Sequence, residues 1–111
     1  MSDELPKLVR DKIPEIIEEN NQKYISRTVS DSEMEKWLRE KVLEEAREFK
    51  EDKSVEELAD LYAVLQEYME REDIKSSDLK QLEEQKSNER GGFKENIILE
   101  EVERRQPPKE S

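Results

Sequence analysis

The chain has 111 residues, 46% of them charged, with a net charge of −11 and neither cysteine nor histidine. Disulfides, thiol chemistry, Ser-His and Cys-His catalytic arrangements and a typical structural zinc site are thereby excluded. An acidic surface repels a phosphate backbone, so no nucleic-acid polymer is expected as a partner; a small phosphorylated ligand reached through a metal stays open.

Hydrophobic residues make up 32% of the chain, well below the usual level of about 45–50%. They recur with helical spacing, which predicts a folded but thin-cored all-α protein. Such a chain gains from association, because one copy buries little surface. No apolar run is long enough to span a membrane and no signal peptide is legible, so the expectation is a cytoplasmic protein without a membrane partner. No repeat or linker divides it, and residues 1–111 are expected to form one domain.

Residues 1–12 start polar, then set Leu8 and Val9 among Lys7, Arg10 and Lys12. Proline at positions 6 and 14 biases the preceding residues toward extended backbone, so this segment should lie across the body. Its cations read equally well as solvated charges whose stems cover apolar surface or as phosphate contacts. Pro14 in a first turn predicts a short helix ending at Asn20 and Asn21. Residues 22–30 read as extended or irregular.

Asp31 and Ser32 are the expected caps of a second helix running to about Lys50. At roughly 3.6 residues per turn, Met34, Leu38, Val42, Ala46 and Phe49 fall on one arc. Glu45 falls inside that arc, Lys41 and Glu48 lie at its margin near Trp37, and Glu44 points well away. Trp37 reads as a core aromatic or as a surface for base stacking. After a polar break at 51–53, Ser54 caps a third helix with Glu57 at the capping-box position. Val55, Leu58, Tyr62, Leu65 and Met69 form its main stripe. Leu61, Val64 and Tyr68 widen that stripe beside Glu57 and Asp60, and the helix should end near Glu72. Residues 76–90 predict a further helix stopped by Gly91-Gly92. Phe93 to Val102 carries Ile97, Ile98 and Leu99, a run too short for periodicity to choose between strand and helical turn. A disordered tail is expected over about 104–111.

Glu45 and Glu48 stand three apart on one helix, and Glu57 and Asp60 three apart on the next. Residues so spaced share a face, and in an antiparallel hairpin the two pairs would oppose one another. A carboxylate on an apolar face has to be paired, hydrogen-bonded or metal-bound. Oxygen-only ligands suit Mg²⁺, with Mn²⁺ or Ca²⁺ as alternatives. The competing readings are salt bridges to Lys41, Arg47 and Lys50, and helix capping by Glu57.

KLVRDKIP at 7–14, EEARE at 44–48, ELAD at 57–60 and RGGF at 90–93, in this order and followed by IIL, resemble the MazG-like and phosphoribosyl-ATP-pyrophosphohydrolase-like all-α nucleoside triphosphate pyrophosphohydrolases. The resemblance spans about residues 7–99. Only eight residues separate Glu48 from Glu57, fewer than in the broader family pattern, which implies a tight turn. The resemblance implies an antiparallel helical hairpin completed to a bundle in a homodimer or higher homo-oligomer. It also implies Mg²⁺ (or Mn²⁺) held by Glu45, Glu48, Glu57 and Asp60, with Glu44 a lesser contributor and Glu45 and Glu48 serving catalysis. Lys7, Arg10, Lys12, Trp37, Lys41 and Arg90 would then contact the nucleotide, with Gly91 and Gly92 admitting it closely. The implied reaction is hydrolysis of a nucleoside triphosphate to monophosphate and pyrophosphate, as in house-cleaning of non-canonical nucleotides. Phosphoribosyl-ATP hydrolysis is the second enzymatic reading, and a non-enzymatic acidic helical module that docks a partner is the third.

Overall fold

The computed structural model describes residues 5–103, and all regular structure among them is helical, with no strand. The order is α1 (Ile13–Glu19), α2 (Asp31–Glu51), α3 (Val55–Arg71) and α4 (Ser76–Arg90). The disordered tail expected at about 104–111 lies outside the described residues. Two compact units make up the chain, Met1–Ser76 and Ser77–Ser111.

Local chemistry sets the boundaries in the first unit. Pro14 occupies the first turn of α1, where its missing N–H costs nothing. Asn21, at φ 58°, and Asp73, at φ 56°, take left-handed backbone just past α1 and α3. The following amides then close back onto Ile17 O at 3.1 Å and Met69 O at 2.9 Å. Short polar side chains adopt that conformation more readily than most. The cap of α2 is Ser30, not Asp31 or Ser32. Its backbone is extended (φ −70°, ψ 161°) and its hydroxyl accepts the Glu33 amide at 3.2 Å. Asp31 is instead drawn into the first turn, where a negative charge suits the helix dipole. Ser54 caps α3 as expected, accepting the Glu57 amide at 3.2 Å.

α2 and α3 pack on one another as a hairpin. They are antiparallel: a three-residue turn joins them at one end, and Arg71 Nη1 reaches Asp31 Oδ1 at 3.4 Å at the other. Leu38, 2% exposed, is the one buried apolar side chain among the described residues, and Met34, Val42 and Phe49 along the same helix are half-buried. Ala46, expected on this arc, is exposed.

The apolar faces of α3 exchange roles. Leu61, Val64 and Tyr68, read as the margin, are its better-covered residues, together with Glu57, Asp60 and Met69. Val55 (81% exposed), Leu58, Tyr62 (62%) and Leu65, read as the main stripe, face solvent. The hairpin seam therefore takes the side of α3 that carries the acids.

In the second unit α4 has only Leu79 and Leu82 as larger apolar residues, both exposed. Gly91 ends it at φ 85°, a conformation favouring glycine, with its amide bonded to Ser87 O at 2.8 Å. Residues 95–103 form neither strand nor helix. Ile97, Ile98 and Leu99 are exposed.

With so little core, single contacts weigh heavily. Leu38→Ala should cost about 3 kcal/mol in urea unfolding, against about 1 kcal/mol for loss of the cap in Ser54→Ala. Equal losses would show that Leu38 is not the centre of the hairpin.

Candidate metal centre

Carboxylate oxygens of Glu45, Glu57 and Asp60 lie within 4.8 Å of one another across the α2–α3 seam. Glu45 comes from the middle of α2, and Glu57 and Asp60 from the first two turns of α3. Glu45 is the most enclosed, 7% exposed, on the same helix face as Leu38. The capping alternative for Glu57 loses weight: the Ser54 amide, which a capping-box glutamate would accept, bonds to Asp52 O at 2.7 Å. The serine half of the box is made, and the glutamate side chain belongs to the seam.

Electrostatics register the crowding. Burial, followed by the charges of Asp60 and Glu44, pushes the Glu45 carboxyl above its ordinary 4.5, and Lys41 opposes the rise in part. Glu57 is raised as well, by desolvation first and then by Glu48, Glu45, Asp60 and Asp52. Glu48 is not one of the three convergent acids. Its charge nevertheless leads the ionic influences on Glu57, and it lines a neighbouring cleft with Lys7, Trp37 and Lys41.

Cations also enter the seam, so the salt-bridge reading is realised in part. Lys41 Nζ lies 3.4 Å from Glu45 Oε2 and 3.3 Å from Glu44 Oε2. Lys7 Nζ reaches the same Glu44 oxygen at 3.3 Å. Arg10 Nη2 donates to Asp60 Oδ1 at 2.8 Å. The extended segment before α1 is thus tied to α2 by Lys7 and to α3 by Arg10, and it crosses the hairpin beside the acids. Arg10 and Asp60 are 64% and 39% exposed, and such a pair contributes only about 0.2–1 kcal/mol.

Glu44 is covered by contacts that helical spacing does not reveal. It falls far from the core arc, yet its side chain is only 14% exposed, because Lys7 and Lys41 cover it. The contact spans 37 positions in sequence, beyond the reach of any helical pattern.

The cleft, about 370 Å³, lies between residues 6–8 and the side of α2 that carries Glu40, Glu44 and Glu48. It gathers Lys7, Trp37 and Lys41 of the expected nucleotide contacts. The Trp37 indole N–H donates to Glu33 Oε2 at 3.0 Å, and Lys36 Nζ stands 5.4 Å from the ring centroid. Trp37 is half-buried, a rim residue more than a core one. Lys12 is exposed at the start of α1. Arg90, Gly91 and Gly92 belong to the second unit, and a Cβ at either glycine would meet nothing within 4 Å.

The donor set fits a hard divalent cation. Three oxygen donors from two helices leave positions for water and ligand, as Mg²⁺ prefers, and one donor is fixed by burial. No helix among the described residues is long and apolar enough to cross a membrane.

A pH dependence follows. With folded values above 4.5, Glu45 and Glu57 bind protons more tightly folded than unfolded. The stability they contribute is complete below that value and is lost as pH rises through the raised folded values. In chelator, the melting temperatures of Glu45→Gln and Glu57→Gln should therefore gain on wild type from pH 4 to pH 7. Lys41 keeps its Glu44 partner in Glu45→Gln, so no lone buried cation obscures the comparison. A gain that shrinks with rising pH would contradict the assignment. Searches against family models, curated proteins and solved structures return no match for this chain.

Proposed function

We propose that the protein is a Mg²⁺-dependent nucleotide pyrophosphohydrolase that cleaves a nucleoside triphosphate to monophosphate and pyrophosphate. The observation that carries the reading is the convergence of Glu45, Glu57 and Asp60 within 4.8 Å at a partly buried helix seam. A surface-exposed acidic module has no reason to place a 7%-exposed glutamate there. The motif resemblance over residues 7–99 supplies the reaction class.

A divalent cation in the seam supplies neutralisation of triphosphate oxygens and lowers the pKa of water. Glu45, Glu57 and Asp60 would hold it. Glu48 stands where cleft and seam adjoin, and its carboxylate accepts the proton of the attacking water. The water oxygen bonds to the α-phosphorus, the bond from that phosphorus to the bridging oxygen breaks, and pyrophosphate leaves. Lys7 and Lys41 line the cleft, and Lys41 also reaches the seam at Glu45, which suits them to phosphate oxygens; Glu44 holds both in place. Trp37 offers a ring at the cleft for a base. No covalent nucleophile is required, in keeping with a chain lacking histidine and cysteine.

We place a second copy of the chain over the exposed α3 stripe. Val55, Leu58, Tyr62 and Leu65 recur at alternating spacings of three and four, the pattern of a helix packing against another helix. Leu58→Glu should shift the protein to monomer in light scattering; an unchanged mass would remove the stripe from the interface.

The direct test is pyrophosphate release from canonical and modified nucleoside triphosphates, with and without Mg²⁺. Turnover should require the metal and fall by about 100-fold or more in Glu48→Gln, as for loss of a general base. Glu44→Gln should lose less and mainly through KM, since Glu44 positions lysines. Absence of turnover would pass the reading to phosphoribosyl-ATP. Failure there as well would favour a binding module.

A further inference from the structure

The Asp60 carboxylate is claimed twice in this fold. It is one of the three convergent seam acids, and it accepts a 2.8 Å hydrogen bond from Arg10, fifty residues earlier. Three residues before Arg10, Lys7 is tied to Glu44. Residues 7–10 therefore form a strap whose two cations are fixed to opposite helices of the hairpin. The strap serves the seam as a built-in counter-charge.

A guanidinium and a divalent cation on one carboxylate repel each other, and the repulsion is strong at separations of a few ångströms. The Arg10 ion pair is also the weaker claim, because both side chains are substantially exposed and water screens them. Glu45, by contrast, is held by burial and by Lys41 on its own helix.

From this arrangement we propose that Arg10 is an exchangeable latch: its guanidinium and a divalent cation are alternative occupants of the Asp60 carboxylate, so that metal loading releases the strap at its α3 end. The inference rests on the metal-site reading above and adds a regulatory role for Arg10. Pro6, Lys7 and Leu8 of the same stretch wall one side of the cleft, so the latch couples cation binding to the place where a ligand would enter. Arg10 acts here as a positioning residue that sets metal affinity.

The test is calorimetric titration of the full chain with Mn²⁺, at constant ionic strength, for wild type, Arg10→Gln, Arg10→Lys and Arg39→Gln. Arg39 pairs with Glu35 within α2 and is a charge-matched control outside the seam. Removing an exposed competing pair should tighten Mn²⁺ binding by roughly two- to fivefold in Arg10→Gln. Arg10→Lys should stay near wild type, because it keeps a cation on the strap. Arg39→Gln should also stay near wild type. Equal or weaker binding by Arg10→Gln, with Mn²⁺ bound by wild type, would overturn the latch and leave the metal site standing. Equal tightening in Arg39→Gln would reduce the effect to net charge and overturn it too. No Mn²⁺ binding by either protein would overturn the metal site and the latch with it.

Discussion

Carboxylates from two helices cannot share a seam without something to offset their repulsion. Glu45, Glu57 and Asp60 come within 4.8 Å of each other, and burial makes the charge on Glu45 costlier still. Within the chain the offset comes from Lys41 on α2 and from Arg10 on the strap. The packing of the hairpin and the path of residues 7–12 both answer to this constraint. So does the chemistry proposed for the site, since a seam that needs positive charge is one a divalent cation can enter.

The same seam explains where the apolar surface goes. Turning the acidic side of α3 inward sends Val55, Leu58, Tyr62 and Leu65 outward, and leaves Leu38 as the only fully covered apolar residue described. A seam that mixes acids with Leu38, Leu61 and Val64, under an apolar outer stripe on α3, departs from the usual arrangement of an isolated hairpin. In the proposed assembly the exterior becomes an interior: a second copy supplies the apolar burial that one chain lacks. Stability and metal binding then draw on different faces of α3, and substitutions on one can be separated from those on the other.

Much of this architecture was legible in the residues. Caps and breakers placed all four helices to within a residue or two, because Ser54, Pro14, Asn20 and Gly91 act locally. Spacing of three points Glu45, Glu48, Glu57 and Asp60 at one place; Glu45, Glu57 and Asp60 converge, and Glu48 is not among them. Three features were not legible, each for a physical reason. Asp31 and Ser32 are as good caps in isolation as Ser30, and only the extended backbone at Ser30 decides. Periodicity finds an apolar face on α3 without knowing which neighbour meets it, so the main stripe reads as the buried one. The covering of Glu44 is invisible to helical spacing because the strap that covers it arrives from far away in sequence. Residues 93–102 offered no pattern to read, and they take no regular structure.

The central claim is that the seam acids hold a divalent cation. Thermal melting in Mg²⁺ against NaCl of matched ionic strength tests it without reference to any substrate. A ligand bound only by the folded state raises the melting temperature as its concentration exceeds its Kd. The account predicts a concentration-dependent rise for wild type, and little or none for Asp60→Asn combined with Glu57→Gln. Identical melting of wild type in the two salts, across millimolar Mg²⁺, would contradict it.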